Sequence, residues 1–401
     1  MKLPVLILQF VALAFPLAGQ ATLPANTQGQ DPVSSAIDHL RNLEYDAAKQ
    51  QLRGCIETQP ADLRAWNYLA TATLYNEMFD RGVLESSVYG EGSDIFKASK
   101  VEVSASFQQE LLSILDKSQQ LAEVRLKSDS RDKDAMYWAG VSHGTRATYH
   151  FALRKEYMPA LHEAAAAYKY HSDLLKIDPD YVDSYLVVGM NNYVVGSLPW
   201  YIKALASLTG RHGDREEGIR QVKRVTEEGN YAREDAKVML AVLYQREKTH
   251  AQAVALYQDM ARSYPRNYLL QYEVASLFGT LNDWHSAAQA YDAILAKQRA
   301  GASGYEKVPT AKVLYHSGQA YEHLQQYDSA LDRYSEAGAL PGTGRYIYAS
   351  ELAAANLYTR LQQPREARAH YQRVADAIPG TEEGKTASSA LKKLDREEMA
   401  R

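Results

Sequence analysis

An all-α chain of stacked helix pairs is predicted by three patterns in the sequence. Four alanines, Ala48, Ala167, Ala253 and Ala367, each stand twelve residues before a proline: Pro60, Pro179, Pro265 and Pro379. Ala253, Ala287, Ala330 and Ala367 are each followed at offset 4 by a tyrosine (Tyr257, Tyr291, Tyr334, Tyr371) and at offset 7 by an apolar residue (Met260, Ile294, Ala337, Val374). Offsets 0, 4 and 7 lie on one face of an α-helix. Third, a large–aliphatic–small triplet precedes these segments: Trp66-x-x-Leu69-Ala70, Tyr185-x-x-Val188-Gly189, Lys237-x-x-Leu240-Ala241 and Leu314-x-x-Ser317-Gly318. A small residue admits a neighbouring helix, and the large residue one turn on fills the space beside it.

Each element follows in order. Residues 1–21 have a basic start, Met1-Lys2, then Leu3 to Ala18 without a charge, then small residues. This is the layout of an exported protein's signal peptide. Residues 22–34 are polar and contain Pro24 and Pro32, as expected of a flexible lead. Residues 35–379 hold the helix pairs. The turns within pairs are short and polar, such as Leu281-Asn-Asp283 and Gln325-Gln326, so each pair folds back antiparallel. Irregular insertions are expected near 76–104, around Gly90-Glu-Gly-Ser93, and near 194–213, around Pro199. Pro199 ends or kinks a helix, and Asp214 is placed to cap the next one. Residues 380–401 read as a helix with Ala387, Leu391 and Leu394 on one face and charges elsewhere.

The spacing resembles the tetratricopeptide repeat, a unit of 34 residues, and the step from Ala253 to Ala287 has that length. The resemblance covers 231–379 most fully, then 35–75 and 160–190. Phe107 to Leu126 shows no clean signature and reads as a divergent repeat. The segment around 191–201 is similar to one found in exported bacterial repeat proteins of uncharacterised function, and Gly213-Asp-Arg-Glu is distantly similar to the eukaryotic inclusion-body clearance family of these repeats. The resemblance implies an α-solenoid of about seven to eight such pairs, wound as a right-handed superhelix with a concave groove and closed by a C-terminal capping helix.

Composition bounds the function. The formal net charge is −4, which gives no basic excess for nucleic acid. The single cysteine, Cys55, permits no intrachain disulfide and no multi-cysteine metal site. The apolar run after Lys2 is short for a bilayer span, which needs ~20 residues, so no membrane span is expected after cleavage. His162-Glu163 is followed by four alanines, so the zinc-protease pattern is missing. His143 with His150, and His316 with His323, are pairs without a third ligand. No phosphate loop, nucleophile elbow or isolated carboxylate pair is legible. No catalytic residue, metal or cofactor is therefore expected.

The unusual figure is 29 tyrosines against 7 phenylalanines. Tyrosine offers a large rigid ring and a polar tip, which suits interfaces. The expected role is a non-enzymatic scaffold of the cell envelope or periplasm that binds a protein or peptide in a tyrosine-rich groove; an envelope-assembly or export factor is the alternative. Candidate partner contacts are Tyr137, Trp138, Arg146 and Tyr149 on one first helix and Asn191, Asn192, Tyr193, Trp200 and Tyr201 in the atypical middle segment. Core packing is the competing role for these rings.

Overall fold

The computed structural model describes residues 31–84, 100–199 and 213–399. Among them are seventeen α-helices and no strand. In order they are α1 (Pro32–Arg41), α2 (Tyr45–Thr58), α3 (Leu63–Asp80), α4 (Ala105–Ser128), α5 (Lys133–Thr148), α6 (Tyr157–Ile177), α7 (Tyr185–Gly196), α8 (Arg215–Glu228) and α9 (Arg233–Arg246). They continue as α10 (His250–Ser263), α11 (Tyr268–Thr280), α12 (Trp284–Arg299), α13 (Thr310–His323), α14 (Tyr327–Gly338), α15 (Arg345–Arg360), α16 (Pro364–Ala377) and α17 (Glu382–Met399). A π-helical turn, Tyr149–Arg154, extends α5, and a 3-10 turn, Val182–Ser184, precedes α7. The helices form eight consecutive pairs followed by α17. The first helix begins at Pro32, capped by Asp31, three residues before the expected start. The signal-peptide segment and Trp200 and Tyr201 lie outside the described residues.

The chain divides into two compact units, Met1–Tyr264 and Pro265–Arg401. Pairs α1/α2 to α9/α10 belong to the first, and α11/α12 to α15/α16 with α17 to the second.

The caps explain where helices start. Asp62, Asp132, Asp214, Asn267 and Asp283 each accept a hydrogen bond from a backbone N–H of the first turn, at 2.9, 3.0, 3.0, 3.3 and 3.1 Å. Such a cap satisfies a donor that the helix cannot and contributes ~1 kcal/mol. The turns inside pairs share one backbone device. Leu43, Lys248, Asn282, Gln325 and Gln362 all adopt positive φ, between 59° and 64°. One left-handed residue reverses the chain identically in five pairs, although only asparagine among them favours it.

Packing shows why the small residues recur. A Cβ on Gly318 would lie 2.5 Å from the Tyr334 ring, and one on Gly140 would lie 2.6 Å from His171 Nε2. Gly189 and Gly218 let α7 and α8 approach backbone to backbone; a Cβ on Gly218 would meet Gly189 O at 2.5 Å. At these positions the partner sits in a notch that a Cβ would close. The offset-0 alanines Ala48, Ala253, Ala287, Ala330 and Ala367 are fully buried, as are Ile294 and Val374 at offset 7. Cys55 occupies the same offset in the first pair and is buried.

The pair α3/α4 is a repeat in a different vocabulary. Leu111, Leu115 and Ser118 take offsets 0, 4 and 7 and are fully buried. Asn67 Nδ2 of α3 donates to Ser118 Oγ at 2.8 Å, so a polar contact stands where others have methyls. At the end of unit 2, Ala387 and Leu394 of α17 are buried in one cluster with Tyr371 and Val374. This closes the apolar face that the last pair leaves open.

Candidate functional site

The candidate contacts of unit 1 are mostly interior. Tyr137, Trp138, Tyr149 and Tyr193 are 2%, 3%, 1% and 2% exposed, which removes their rings from any surface a partner touches. Tyr137 meets Trp138 edge-on at 4.9 Å and lies 5.3 Å from His171, 5.3 Å from Tyr181 and 5.7 Å from Tyr231. Tyr149 sits in the π-turn against Phe107 at 6.3 Å. The Tyr193 hydroxyl donates to Glu247 at 2.8 Å. Arg146 is held to Asp116 at 2.7 Å and to Gln119 at 3.2 Å, with its side chain 12% exposed. Asn191 and Asn192 are half-buried, and Asn192 Nδ2 donates to Gln221 at 2.9 Å. The expected groove face of α5 is therefore core. The reason is geometric: Tyr231, from the turn before α9, covers it.

Unit 1 also holds buried carboxylates that no sequence pattern marks: Asp183, Glu234 and Asp235, 6%, 6% and 0% exposed. Each is occupied by the chain itself. Asp183 Oδ1 accepts from the backbone N–H groups of Asn230 and Ala232 at 2.8 and 2.9 Å, fixing the turn that carries Tyr231. Glu234 binds Lys237 at 3.0 Å, and Asp235 binds Arg41 at 2.6 Å. Burial raises the Asp183 and Asp235 carboxyls above the usual range, Asp235 to about 7. Among the described residues, no three His, Cys, Asp or Glu side chains converge as metal ligands.

Unit 2 presents a different surface. Tyr272 of α11 and Tyr315 of α13 stand three residues before the small residues Ala275 and Gly318, the same repeat position as Tyr137 before Gly140. They belong to one ring cluster with Tyr291, His316 and Tyr346. Tyr315 lies 5.6 Å from Tyr346, His316 lies 5.6 Å from Tyr346, and Tyr272 lies 5.7 Å from Tyr291. The Lys312 ammonium sits 4.6 Å from the Tyr272 ring and 5.7 Å from that of Tyr346. Arg345 lies 6.0 Å over the same Tyr346 ring. Such cations are attracted by the ring faces and hold them in place. Gln319 connects the layer: its amide donates to the Tyr315 hydroxyl at 3.1 Å, and its oxygen lies 2.9 Å from His316 Nδ1.

Lys312, Tyr315, His316, Gln319 and Tyr346 are all half-buried. Burial lowers the His316 pKa to about 4, so the imidazole is neutral at pH 7. The face thus offers ring edges, phenol and amide groups and two cations, on first helices of successive pairs. It can grip an apolar anchor and satisfy backbone polar groups beside it. Tyr272, a groove position by its spacing, is 5% exposed and backs the face instead of lining it; His316 reads from sequence only as an ordinary histidine.

Family models described as the tetratricopeptide repeat match residues 235–267 and 272–342. Together with the eight interlocked pairs, this makes the chain a tetratricopeptide repeat protein. No curated protein matches it. Among solved structures it is similar to yeast Tom70, at 14% identity and a TM-score of 0.37, with 92% of this chain and 90% of that one covered. It is similar to PilW, described as a type IV pilus biogenesis factor, at 14% identity and 0.39, covering 61% and 94%. It is also similar to human IFIT1, solved with m7Gppp-AAAA, at 12% identity and 0.40, covering 100% and 87%. Likenesses this loose carry no functional argument.

Proposed function

We propose that this chain is an exported, non-catalytic scaffold of the cell envelope that binds a protein or peptide partner on the tyrosine face of unit 2. The observation that carries the reading is the half-buried layer of Tyr315, Tyr346 and Gln319, with Lys312 set between two rings. Half-buried tyrosines are rigid before a partner arrives, so little ordering entropy is lost on binding. Export rests on residues 1–21 alone, and among the described residues no helix is long and apolar enough to cross a membrane. Amino-terminal sequencing of protein from fractionated cells checks it: a start near residue 22 in the envelope fraction is expected, and an intact Met1 in the cytosol refutes it.

The binding claim has its own test. The mature chain and a Tyr315→Ala/Tyr346→Ala variant are compared for capture of partners from the native envelope extract. Each anchor is worth about 2 kcal/mol, so recovery of the specific partner is expected to fall at least ~30-fold. The thermal midpoint is expected to move by only a few degrees, since both rings are half-exposed. Equal recovery by both proteins contradicts the assignment.

A further inference from the structure

In a stack of helix pairs each pair touches its sequence neighbours. Unit 1 departs from that rule. Arg41, the last residue of α1, pairs with Asp235 in the first turn of α9, Nη1 to Oδ1 at 2.6 Å. The two residues are 235 − 41 = 194 positions apart and join the first pair to the fifth. Both side chains are withdrawn from water, at 10% and 0% exposure. Asp31, preceding α1, holds Arg64 of α3 at 2.5 Å. Tyr231, four residues before Asp235, rests on Tyr137 and Trp138 at 5.7 and 5.2 Å.

The composition of this joint is unlike the rest of the core. Elsewhere the ion pairs that join successive helix pairs are more open to water, as Arg333–Asp292 at 23% and 27% exposure and Arg360–Glu322 at 57% and 26%. Here a guanidinium meets a carboxylate, beside a fully buried Tyr68 whose hydroxyl has no hydrogen-bond partner among the described residues. A buried ion pair adds little net stability because desolvation consumes most of the attraction. A buried phenol without a partner costs more. A permanent core joint gains nothing from these choices, whereas a contact that opens to water does: open, every one of these groups is hydrated.

We propose that the Arg41–Asp235 pair is a releasable latch that closes unit 1 over the ring-bearing faces of α3 and α5. Opening it, together with the Asp183 hydrogen bonds to Asn230 and Ala232, lifts α1 and the 229–236 turn away from Tyr68, Tyr137 and Trp138. Tyr137 holds the repeat position of the half-buried Tyr315, so the open form brings to water rings that the closed form seals.

Native-state hydrogen exchange on the full chain tests this. In the wild type, amides of α1 and residues 230–236 are expected to exchange through a partial opening with a smaller denaturant dependence than that of α6 and α8, which exchange only with larger unfolding. Arg41→Ala leaves the buried Asp235 without its partner and is expected to speed exchange of α1 and 230–236 by about 100-fold or more, with α6 unchanged. Arg41→Met/Asp235→Leu replaces the pair by apolar contact and is expected to slow that exchange below the wild-type rate. If the wild-type isotherms of α1 and 230–236 merge with those of α6 and α8, the joint is core. A uniform acceleration across unit 1 in Arg41→Ala, or faster exchange in the apolar double variant, likewise overturns the latch.

Discussion

Tyr334→Ala is expected to cost unit 2 about 3–5 kcal/mol, the range for deleting a buried ring whose site cannot collapse. Tyr334 is 1% exposed and fills the notch over Gly318. Its ring lies 6.1 Å from Tyr315, and its hydroxyl donates to Glu322 at 2.7 Å. The truncation removes the large half of the small–large interlock, and Gly318 supplies no side chain to fill the void. Tyr334→Phe keeps the ring and loses only the hydroxyl, at about 1 kcal/mol. Glu322 retains Arg360 at 2.7 Å in that variant. Urea unfolding of the full chain measures both. Similar losses for Ala and Phe would show that the hydroxyl, not the interlock, holds the pair together.

His171→Phe is expected to make the protein more tolerant of acid. His171 takes the offset-4 place that tyrosine holds in later repeats, and it is 1% exposed against Gly140. Its Nδ1 lies 3.1 Å from Ser184 Oγ. Burial lowers its pKa from 6.5 to about 3. A histidine with a depressed folded pKa gives stability that is complete above the unfolded value of 6.5. That stability is lost as pH falls from 6.5 toward 3, because the unfolded chain takes up a proton that the fold refuses. The loss is ~1.4 kcal/mol per pH unit, or about 4–5 kcal/mol over the window. Asp235 acts oppositely: its carboxyl is raised to about 7, so its contribution grows as pH falls from 7. The wild type alone therefore shows a muted acid response. The difference between variant and wild type isolates His171, and it is expected to widen steadily below pH 6.5 in stability measured from pH 7.5 to 4. Parallel curves would place the imidazole in contact with water.

The fold was legible because its interlock uses few residue types at fixed offsets. Alanine or glycine makes the notch, tyrosine fills it, and proline ends the repeat. The same logic fails where another vocabulary does the same work. α4 hides its repeat because Leu111 replaces the alanine and Ser118 meets Asn67 by a hydrogen bond. The site was legible only as a position. Tyr137, Tyr272 and Tyr315 are equivalent by spacing, yet only Tyr315 is half-exposed: Tyr272 is buried, and Tyr137 is sealed under Tyr231, 231 − 137 = 94 residues away. No local pattern shows what lands on a face from that distance. Arg41 and Asp235 are hidden for the same reason, since each looks like part of a solvated helix face until the fold joins them. Tyr149 is carried inward by a π-turn, which inserts an extra residue per turn and breaks the 3.6 period.

Tyrosine-selective labelling of the folded chain, read residue by residue by mass spectrometry, separates the two faces. Tyr315 and Tyr346 are expected to react readily, and Tyr137 and Tyr193, like Tyr68, to stay protected until the chain is unfolded. Rapid native labelling of Tyr137 and Tyr193 with protection of Tyr315 and Tyr346 would show that the binding face has been placed in the wrong unit.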